Sequence, residues 1–157
     1  MPLTFPVHVE KALLRAEHDC VSAGVRLTPK RKHLLALLLI EHQALTAYEL
    51  VDAYTEAYGD KLPAMSVYRI LQFLVEHKLV HKLETTNQFL ACSHITCEHE
   101  HNIPQFLICD KCHKVEEIAL RAELVKELRG SVERTGFVLS NQQLELRGLC
   151  QECSLAG

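Results

Sequence analysis

Residues 63–92 read PAMSVYRILQFLVEHKLVHKLETTNQFLAC, and within this stretch one hydrophobic period gives way to another. After Pro63, apolar residues from Ala64 to Lys78 recur at the spacing of an amphipathic helix. From Leu79 onward the residues alternate or favour β-structure, and Thr85-Thr86-Asn87 separates two such runs, which predicts a β-hairpin. A helix followed directly by a hairpin is the closing part of a winged helix-turn-helix unit.

The helix over 64–78 has two distinct faces. Its apolar stripe consists of five residues, Val67, Ile70, Leu71, Leu74 and Val75. The opposite face carries Ser66, Arg69, Gln72 and Phe73, with Tyr68 on the border. We therefore expect one face to pack on a core and the other to face outward.

Three further helices are predicted before this one. His8 to Ala23 has helical spacing and includes Cys20 on its apolar side, and Thr28-Pro29 opens a second helix as N-cap and first residue. The apolar run Leu34 to Ile40 is continuous, so this second helix is expected to be well buried. Thr46 and Glu49 form a capping-box pattern before Ala47 to Tyr58, which ends at a glycine.

The overall composition excludes several classes of protein. The chain has 157 residues, 48 % of them apolar, with a net charge of −3, so an intrinsically disordered chain is excluded. The longest apolar run is seven residues, against about 20 for a membrane span, and the N-terminus lacks a signal-peptide pattern. We therefore expect a cytoplasmic protein with reduced thiols and no membrane partner. The net charge itself gives no support to nucleic-acid binding.

The sequence predicts a division into two domains and a linker. Residues 1–92 have no net charge and residues 93–157 carry all of the −3. The polar stretch 93–104 lacks periodicity and is interpreted as a linker. Beyond it, strands are predicted at Gln105–Cys109, Lys114–Ala119 and Phe137–Leu149, with a helix at Arg121–Thr135, which makes residues 105–157 a small α/β module. The fold class is therefore α+β.

Four of the seven cysteines form a pair of C-x2-C motifs. Cys109 and Cys112 form the first motif, Cys150 and Cys153 form the second, and 37 residues separate the two motifs. Two such motifs together supply the four thiolates of a tetrahedral Zn²⁺ site, and four protein ligands leave no open position for catalysis. A thioredoxin-like redox pair would open a helix after a strand, whereas Lys114 onward continues as a strand. We therefore predict a structural zinc site.

The hairpin contains a second candidate metal site. If Thr86 and Asn87 are the two central turn residues, His81 lies directly opposite Cys92, with both side chains on one face. A four-residue loop would keep this register and an odd-numbered loop would break it. One ion would then bridge the imidazole and the thiol. Core packing of both side chains is the alternative, because the rest of that face is apolar.

The linker and the following strand supply further candidate ligands. Cys97, His99 and His101 follow Cys92 within nine residues, and Glu116-Glu117 follow the first cysteine motif. One histidine and one carboxylate from these sets would complete a tetrahedral site with His81 and Cys92. The thiolate favours Zn²⁺ over Fe²⁺ or Mn²⁺.

Several motifs in chain order resemble those of the Fur family of metal-dependent repressors. The resemblance rests on four stretches, Arg26-Leu-Thr-Pro-Lys-Arg31, Thr46-Ala-Tyr-Glu-Leu50, Ser66-Val-Tyr-Arg-Ile-Leu71 and Phe106-Leu-Ile-Cys-Asp-Lys-Cys112. It implies an N-terminal winged helix-turn-helix domain that binds DNA and a C-terminal α/β dimerisation domain with a four-cysteine zinc site.

Within the family the sequence resembles the zinc uptake regulator (Zur) branch. That resemblance implies two zinc ions per chain, one structural and one regulatory, and regulatory ligands at His81, Cys92, His101 and Glu117, with His99 as the alternative linker ligand. It also implies a homodimer that binds palindromic double-stranded operator DNA when loaded with zinc and represses zinc-uptake genes. No small-molecule substrate is expected. Cys97 has no assigned role.

The resemblance also implies which residues contact DNA. Arg69 is expected to bind a base edge, because arginine forms two hydrogen bonds with guanine. Tyr48 is expected to contact a base or a phosphate, and Ser66 and Tyr68 to bind phosphates or pack. Arg26, Lys30 and Arg31 form a dense basic cluster suited to phosphates.

Three alternatives remain open at this stage. The first is an iron-, manganese- or peroxide-responsive regulator of the same family. The second is a zinc-ribbon adaptor that binds protein. The third is a hydrolytic enzyme, which is disfavoured because four protein ligands leave no open metal position; we expect no enzyme.

Overall fold

The computed structural model describes residues 4–41, 43–97, 104–140 and 143–157. The chain divides into two compact units, Met1–Cys97 and Glu98–Gly157. Across the described ranges, every helix is too short or too polar to serve as a membrane span. The predicted limits of the domains and of the linker over 93–104 stay predictions.

The first unit begins with the four predicted helices, and the ends of the first and fourth lie within two residues of the predicted positions. The helices are α1 Val7–Ser22, α2 Pro29–Glu41, α3 Ala47–Tyr58 and α4 Ala64–Glu76.

The limits of α3 follow from its own sequence. The Thr46 side chain accepts a hydrogen bond from the Glu49 backbone N–H (3.2 Å), and the Glu49 carboxylate accepts one from the Thr46 N–H (2.7 Å). This reciprocal pair is the predicted capping box. Gly59 ends the helix at φ 67°, a left-handed conformation that glycine adopts at little cost.

The core of the first unit is centred on α2, which packs against α1, α3 and α4. Residues 34–38 are all buried, as their continuous apolar run predicts, and Leu34 and Leu35 have no exposed surface. Cys20 on α1 is 2 % exposed and belongs to this core. Truncating one such leucine to alanine costs about 2–5 kcal/mol.

The predicted hairpin is present, but its predicted register is wrong. Strands β1 (Val80–Leu83) and β2 (Gln88–Ala91) are antiparallel, and His81 pairs with Leu90 rather than with Cys92. The reason is that the turn spans residues 84–87, so its centre lies one residue earlier than Thr86–Asn87 and each partner shifts by two. An even shift keeps the same face, so His81 and Cys92 still share one side of the hairpin, on a diagonal.

In the described residues of the second unit, 104–140 and 143–157, there are a three-stranded sheet and two helices. Its elements are β3 Gln105–Cys109, β4 Val115–Ile118, α5 Ala122–Glu133, β5 Leu144–Gly148 and α6 Gln151–Leu155. The strand order is β4-β3-β5, with β3 antiparallel to β4 and parallel to β5.

Two features of the second unit differ from the sequence-based expectation. Among the residues of this range that the structure describes, the strand predicted over Phe137–Leu149 is limited to β5, whose five residues pair with β3, and residues 137–140 are exposed. The short helix α6 follows Cys150 and was not expected, because five residues show no hydrophobic period.

Candidate metal centre and nucleic-acid interface

The four cysteines of the two C-x2-C motifs converge in the second unit. One ligand atom from each of Cys109, Cys112, Cys150 and Cys153 lies within 4.8 Å of the others. The sulfur atoms of Cys112 and Cys150 are 3.7 Å apart. Sulfur atoms at the corners of a tetrahedron with 2.3 Å bonds to zinc are separated by about 3.8 Å, so this cluster fits a closed zinc site.

The parallel pairing of β3 with β5 explains why the two motifs meet. Cys109, the last residue of β3, lies beside Gly148, the last residue of β5. The Asp110 N–H donates to the Gly148 carbonyl (2.8 Å), and its carboxylate accepts from the Arg147 guanidinium (2.7 Å). Each strand therefore delivers its cysteine motif to the same end of the sheet.

Backbone N–H groups around the cluster favour the charged form of one thiol. Hydrogen bonds from the backbone of Cys112 and then of Cys150 lower the pKa of the Cys109 thiol to about 6. The Cys150 N–H lies 3.4 Å from the Cys109 sulfur. The neighbouring side chains, first Cys150 and then Cys112, raise the pKa of the Cys153 thiol to about 12. A cation among these sulfur atoms would favour their ionised forms.

A second pair of potential ligands lies on the hairpin of the first unit. The ligand atoms of His81 and Cys92 are within 4.8 Å of each other. Cys92 is 5 % exposed, and its backbone N–H donates to the Leu79 carbonyl (2.9 Å), which extends the strand pairing by one residue. A zinc ion bound to both would hold the imidazole nitrogen and the sulfur about 3.5 Å apart, and a separation of at most 4.8 Å is compatible with such a site.

The other two predicted regulatory ligands, Glu117 and His101, lie outside the hairpin. Glu117 lies on β4 of the second unit, where its side chain is half-buried. His101, like His99, lies outside the described residues. Among the described residues, Cys97 belongs neither to the four-cysteine cluster nor to the group of His81 and Cys92. Its sulfur lies 3.7 Å from Nδ1 of His94.

The outward face of α4, together with the start of α3, carries the side chains predicted to contact DNA. Arg69 is exposed on α4, and Tyr48 on α3 is 67 % exposed. Ser66 is half-buried, and Tyr68 packs partly against the core. Met65, in the first turn of α4, is 66 % exposed and was not singled out by the sequence analysis.

The three basic residues before and within the first turn of α2 are not equivalent. The side chains of Arg26 and Lys30 are exposed. The guanidinium of Arg31 instead lies 3.6 Å from the centre of the Phe73 ring and donates to the Arg26 carbonyl (2.7 Å). The sequence analysis missed this role of Phe73, although an aromatic residue on a polar helix face is a signal for such a partner.

The fold and the cysteine cluster define a class of protein before any comparison is made. A winged helix-turn-helix unit precedes an α/β unit in which four thiols converge, which is the arrangement of a metal-binding winged-helix protein.

Comparisons with known proteins agree with this class. The model of the ferric uptake regulator family matches residues 22–147. The zinc uptake regulation protein of Escherichia coli K12 is 37 % identical over 145 residues, which cover 92 % of this chain and 82 % of that protein. The peroxide operon regulator of Bacillus subtilis 168 is 33 % identical over 135 residues, which cover 83 % of this chain and 86 % of that protein. A structure of a zinc uptake regulator complexed with zinc and DNA has a TM-score of 0.83 at 33 % sequence identity. The match covers 96 % of this chain and 98 % of that chain. This chain belongs to the ferric uptake regulator family.

Proposed function

We propose that this protein is a zinc-sensing transcriptional repressor. In this proposal a homodimer loaded with zinc binds palindromic operator DNA in the cytoplasm and represses zinc-uptake genes. The observation that carries the proposal is the closeness of His81 and Cys92, within 4.8 Å, on the hairpin of the winged-helix unit. Metal binding there would act directly on the unit that carries the DNA-contacting face.

The choice of zinc rests on the donor atoms. The cluster of Cys109, Cys112, Cys150 and Cys153 would hold one structural ion, because four thiolates are typical of closed zinc sites. The regulatory ion would be held by His81, Cys92, His101 and Glu117. Geometry within the first unit supports His81 and Cys92, and the resemblance of the sequence supports the other two. Zinc would supply a cross-link among the side chains that hold it.

The DNA contacts are proposed from exposure and position on the helices. Arg69 on the exposed face of α4 would bind a guanine edge in the major groove. Tyr48, Ser66 and Tyr68 would contact bases or phosphates beside it. The exposed side chains of Arg26 and Lys30 would support the protein on the phosphate backbone.

Zinc sensing requires a difference in zinc affinity between two states of the protein. A ligand changes an equilibrium only by its differential affinity for the two states. A change from 1 % to 99 % of the DNA-competent state needs about 5.5 kcal/mol of differential binding. Side chains that hold the sensed ion only in the competent state would provide this difference.

The test compares two cysteine variants of the full chain. A palindromic duplex is first selected by the wild-type protein, with zinc present, from a pool of random sequences. We expect Cys92→Ser to lose zinc-dependent binding to this duplex while retaining one zinc ion per chain and the dimer. Cys97→Ser, the matched control, should retain the full response. A Cys92→Ser variant that responds to zinc like the wild type would contradict the proposed sensor site.

A further inference from the structure

Arg31 is held on two sides within the first unit. Its guanidinium stacks over the Phe73 ring of α4 at 3.6 Å from the ring centre, within the range of a cation–π contact. Its Nη1 donates to the Arg26 carbonyl at 2.7 Å, in the segment that precedes α2. The Phe73 ring also contacts the His77 ring, with 4.4 Å between centres. The head of Arg31 therefore connects the start of α2 to the outward side of α4.

The neighbouring cations of α2 behave differently. The side chain of Lys30 is exposed and forms no hydrogen bond or ion pair within the described part of the chain. Lys32 forms an ion pair with Glu17 of α1, at 3.1 Å. The three consecutive cations thus have different surroundings, and the charged group of Arg31 lies against the helix that carries Arg69.

We propose that Arg31 is a positioning residue for DNA reading rather than a phosphate contact. The inference rests on the proposed DNA-binding function. Phe73 lies four residues after Arg69, so the two side chains share one face of α4. By holding Phe73, Arg31 fixes the rotation and inclination of α4 on α2, and thereby the direction in which Arg69 meets the bases.

A phosphate contact and a positioning contact respond differently to substitution. Lysine replaces arginine well at a point-charge phosphate contact, but not where a planar guanidinium stacks and donates at the same time. Loss of a phosphate contact weakens binding to every sequence and reduces the salt slope by about 1. Loss of a positioning contact weakens binding to the operator more than binding to unrelated DNA, and leaves the salt slope unchanged.

The experiment uses the full-length, zinc-loaded protein with the selected palindromic duplex and a scrambled duplex of equal composition. Dissociation constants are measured over a series of salt concentrations for Arg31→Lys, Arg31→Ala and Phe73→Leu, with Lys30→Ala as the phosphate-contact control. We expect the first three variants to lose about tenfold in operator affinity, which corresponds to about 1.4 kcal/mol, while their affinity for the scrambled duplex stays within about twofold. Lys30→Ala should weaken both and lower the salt slope by about 1.

Folding of each variant is checked by its thermal unfolding temperature. Loss of a merely structural contact would lower this temperature without changing the ratio of the affinities for the two duplexes. If Arg31→Ala does not fold, Arg31→Lys and Phe73→Leu still give the ratio. The proposal is overturned if Arg31→Lys binds the operator like the wild type, or if Arg31→Ala lowers the salt slope by about 1 on both duplexes. If the selection yields no duplex that the zinc-loaded wild type binds, the proposed function fails, and this inference fails with it.

Discussion

At the scale of single residues, Thr46 fixes the start of the helix that presents Tyr48. Its hydroxyl accepts a hydrogen bond from the Glu49 backbone N–H, and the Glu49 carboxylate accepts one from the Thr46 backbone N–H. We expect Thr46→Ala to lower the free energy of unfolding by about 1 kcal/mol, because it leaves an N–H of the first turn without its partner. Thr55→Ala, on the exposed side of the same helix, should change it by less than about 0.5 kcal/mol. Urea denaturation of the two variants measures the difference, and equal losses would contradict this role.

His33 predicts a pH dependence of stability. Its ring stacks on Tyr58 with 4.1 Å between ring centres, and Nδ1 lies 3.4 Å from the Tyr54 hydroxyl. Burial, and then the nearby charge of Lys32, lower the pKa of His33 below its ordinary 6.5. The unfolded chain therefore binds a proton at a higher pH than the folded chain does. The resulting stability is present above pH 6.5 and decreases as the pH falls below it.

When the pH falls from about 7.5 to about 5.5, we expect the free energy of unfolding of His33→Gln to decrease less than that of the wild type. His18→Gln, at an exposed position on α1, should keep the wild-type dependence, which also controls for loss of metal at low pH. Urea denaturation at both pH values provides the measurement. Parallel losses in all three proteins would rule out His33 as the titrating group.

At the scale of elements, the local signals of the sequence predicted the helices well. The capping box and Gly59 set both ends of α3. Residues 34–38 of the continuous apolar run of α2 are buried as expected, whereas Ile40 at its end is 40 % exposed. These signals act between residues that are close in the chain, so the sequence alone contains them.

Features that depend on distant residues were predicted less well. The hairpin register depended on where its turn is centred, and the shift by one residue moved the partner of His81 from Cys92 to Leu90. The length of β5 is set by β3, and the stacking of Arg31 on Phe73 joins residues 42 positions apart. A single sequence carries no direct signal for such pairings.

The candidate sites show the same contrast. The motif spacing predicted the four-cysteine cluster, and the convergence of Cys109, Cys112, Cys150 and Cys153 confirms that they form one group. The shared face of His81 and Cys92 was predicted from a direct pairing that is wrong, because His81 pairs with Leu90. The two residues still share a face because the observed register differs from the predicted one by two residues. The assignments of His101 and Glu117 stay predictions.

The parallel pairing of β3 with β5 ends at the four-cysteine cluster, so we expect zinc bound there to stabilise the second unit. We expect Cys150→Ser to reduce the zinc content by one ion per chain and to increase amide hydrogen exchange in β3, because binding energy at a structural zinc site contributes to folding. Exchange in α2, at the core of the first unit, should stay at the wild-type level. Cys97→Ser serves as the control and should leave both unchanged. Equal loss of protection in α2 and β3 after Cys150→Ser would contradict separate stabilisation of the two units.

At the scale of the whole molecule, the net charge alone does not indicate the DNA-binding role that we propose for the first unit. The net charge of −3 belongs to residues 93–157, whereas residues 1–92 are neutral and carry Arg26, Lys30 and Arg69 on exposed positions. A local basic surface suffices for DNA binding, which then depends strongly on salt.

The most direct test of the account is a metal titration of operator binding by the full chain, with metal content measured at each step. The protein, holding one zinc ion per chain, is titrated with Zn²⁺, Fe²⁺ or Mn²⁺ under reducing conditions, and its affinity for the selected palindromic duplex is recorded. We expect affinity to rise as the second zinc ion per chain binds, with a much smaller effect of Fe²⁺ and Mn²⁺ at equal concentration. Activation by Fe²⁺ or Mn²⁺ equal to that by Zn²⁺, or full affinity with only one zinc ion bound, would contradict the account.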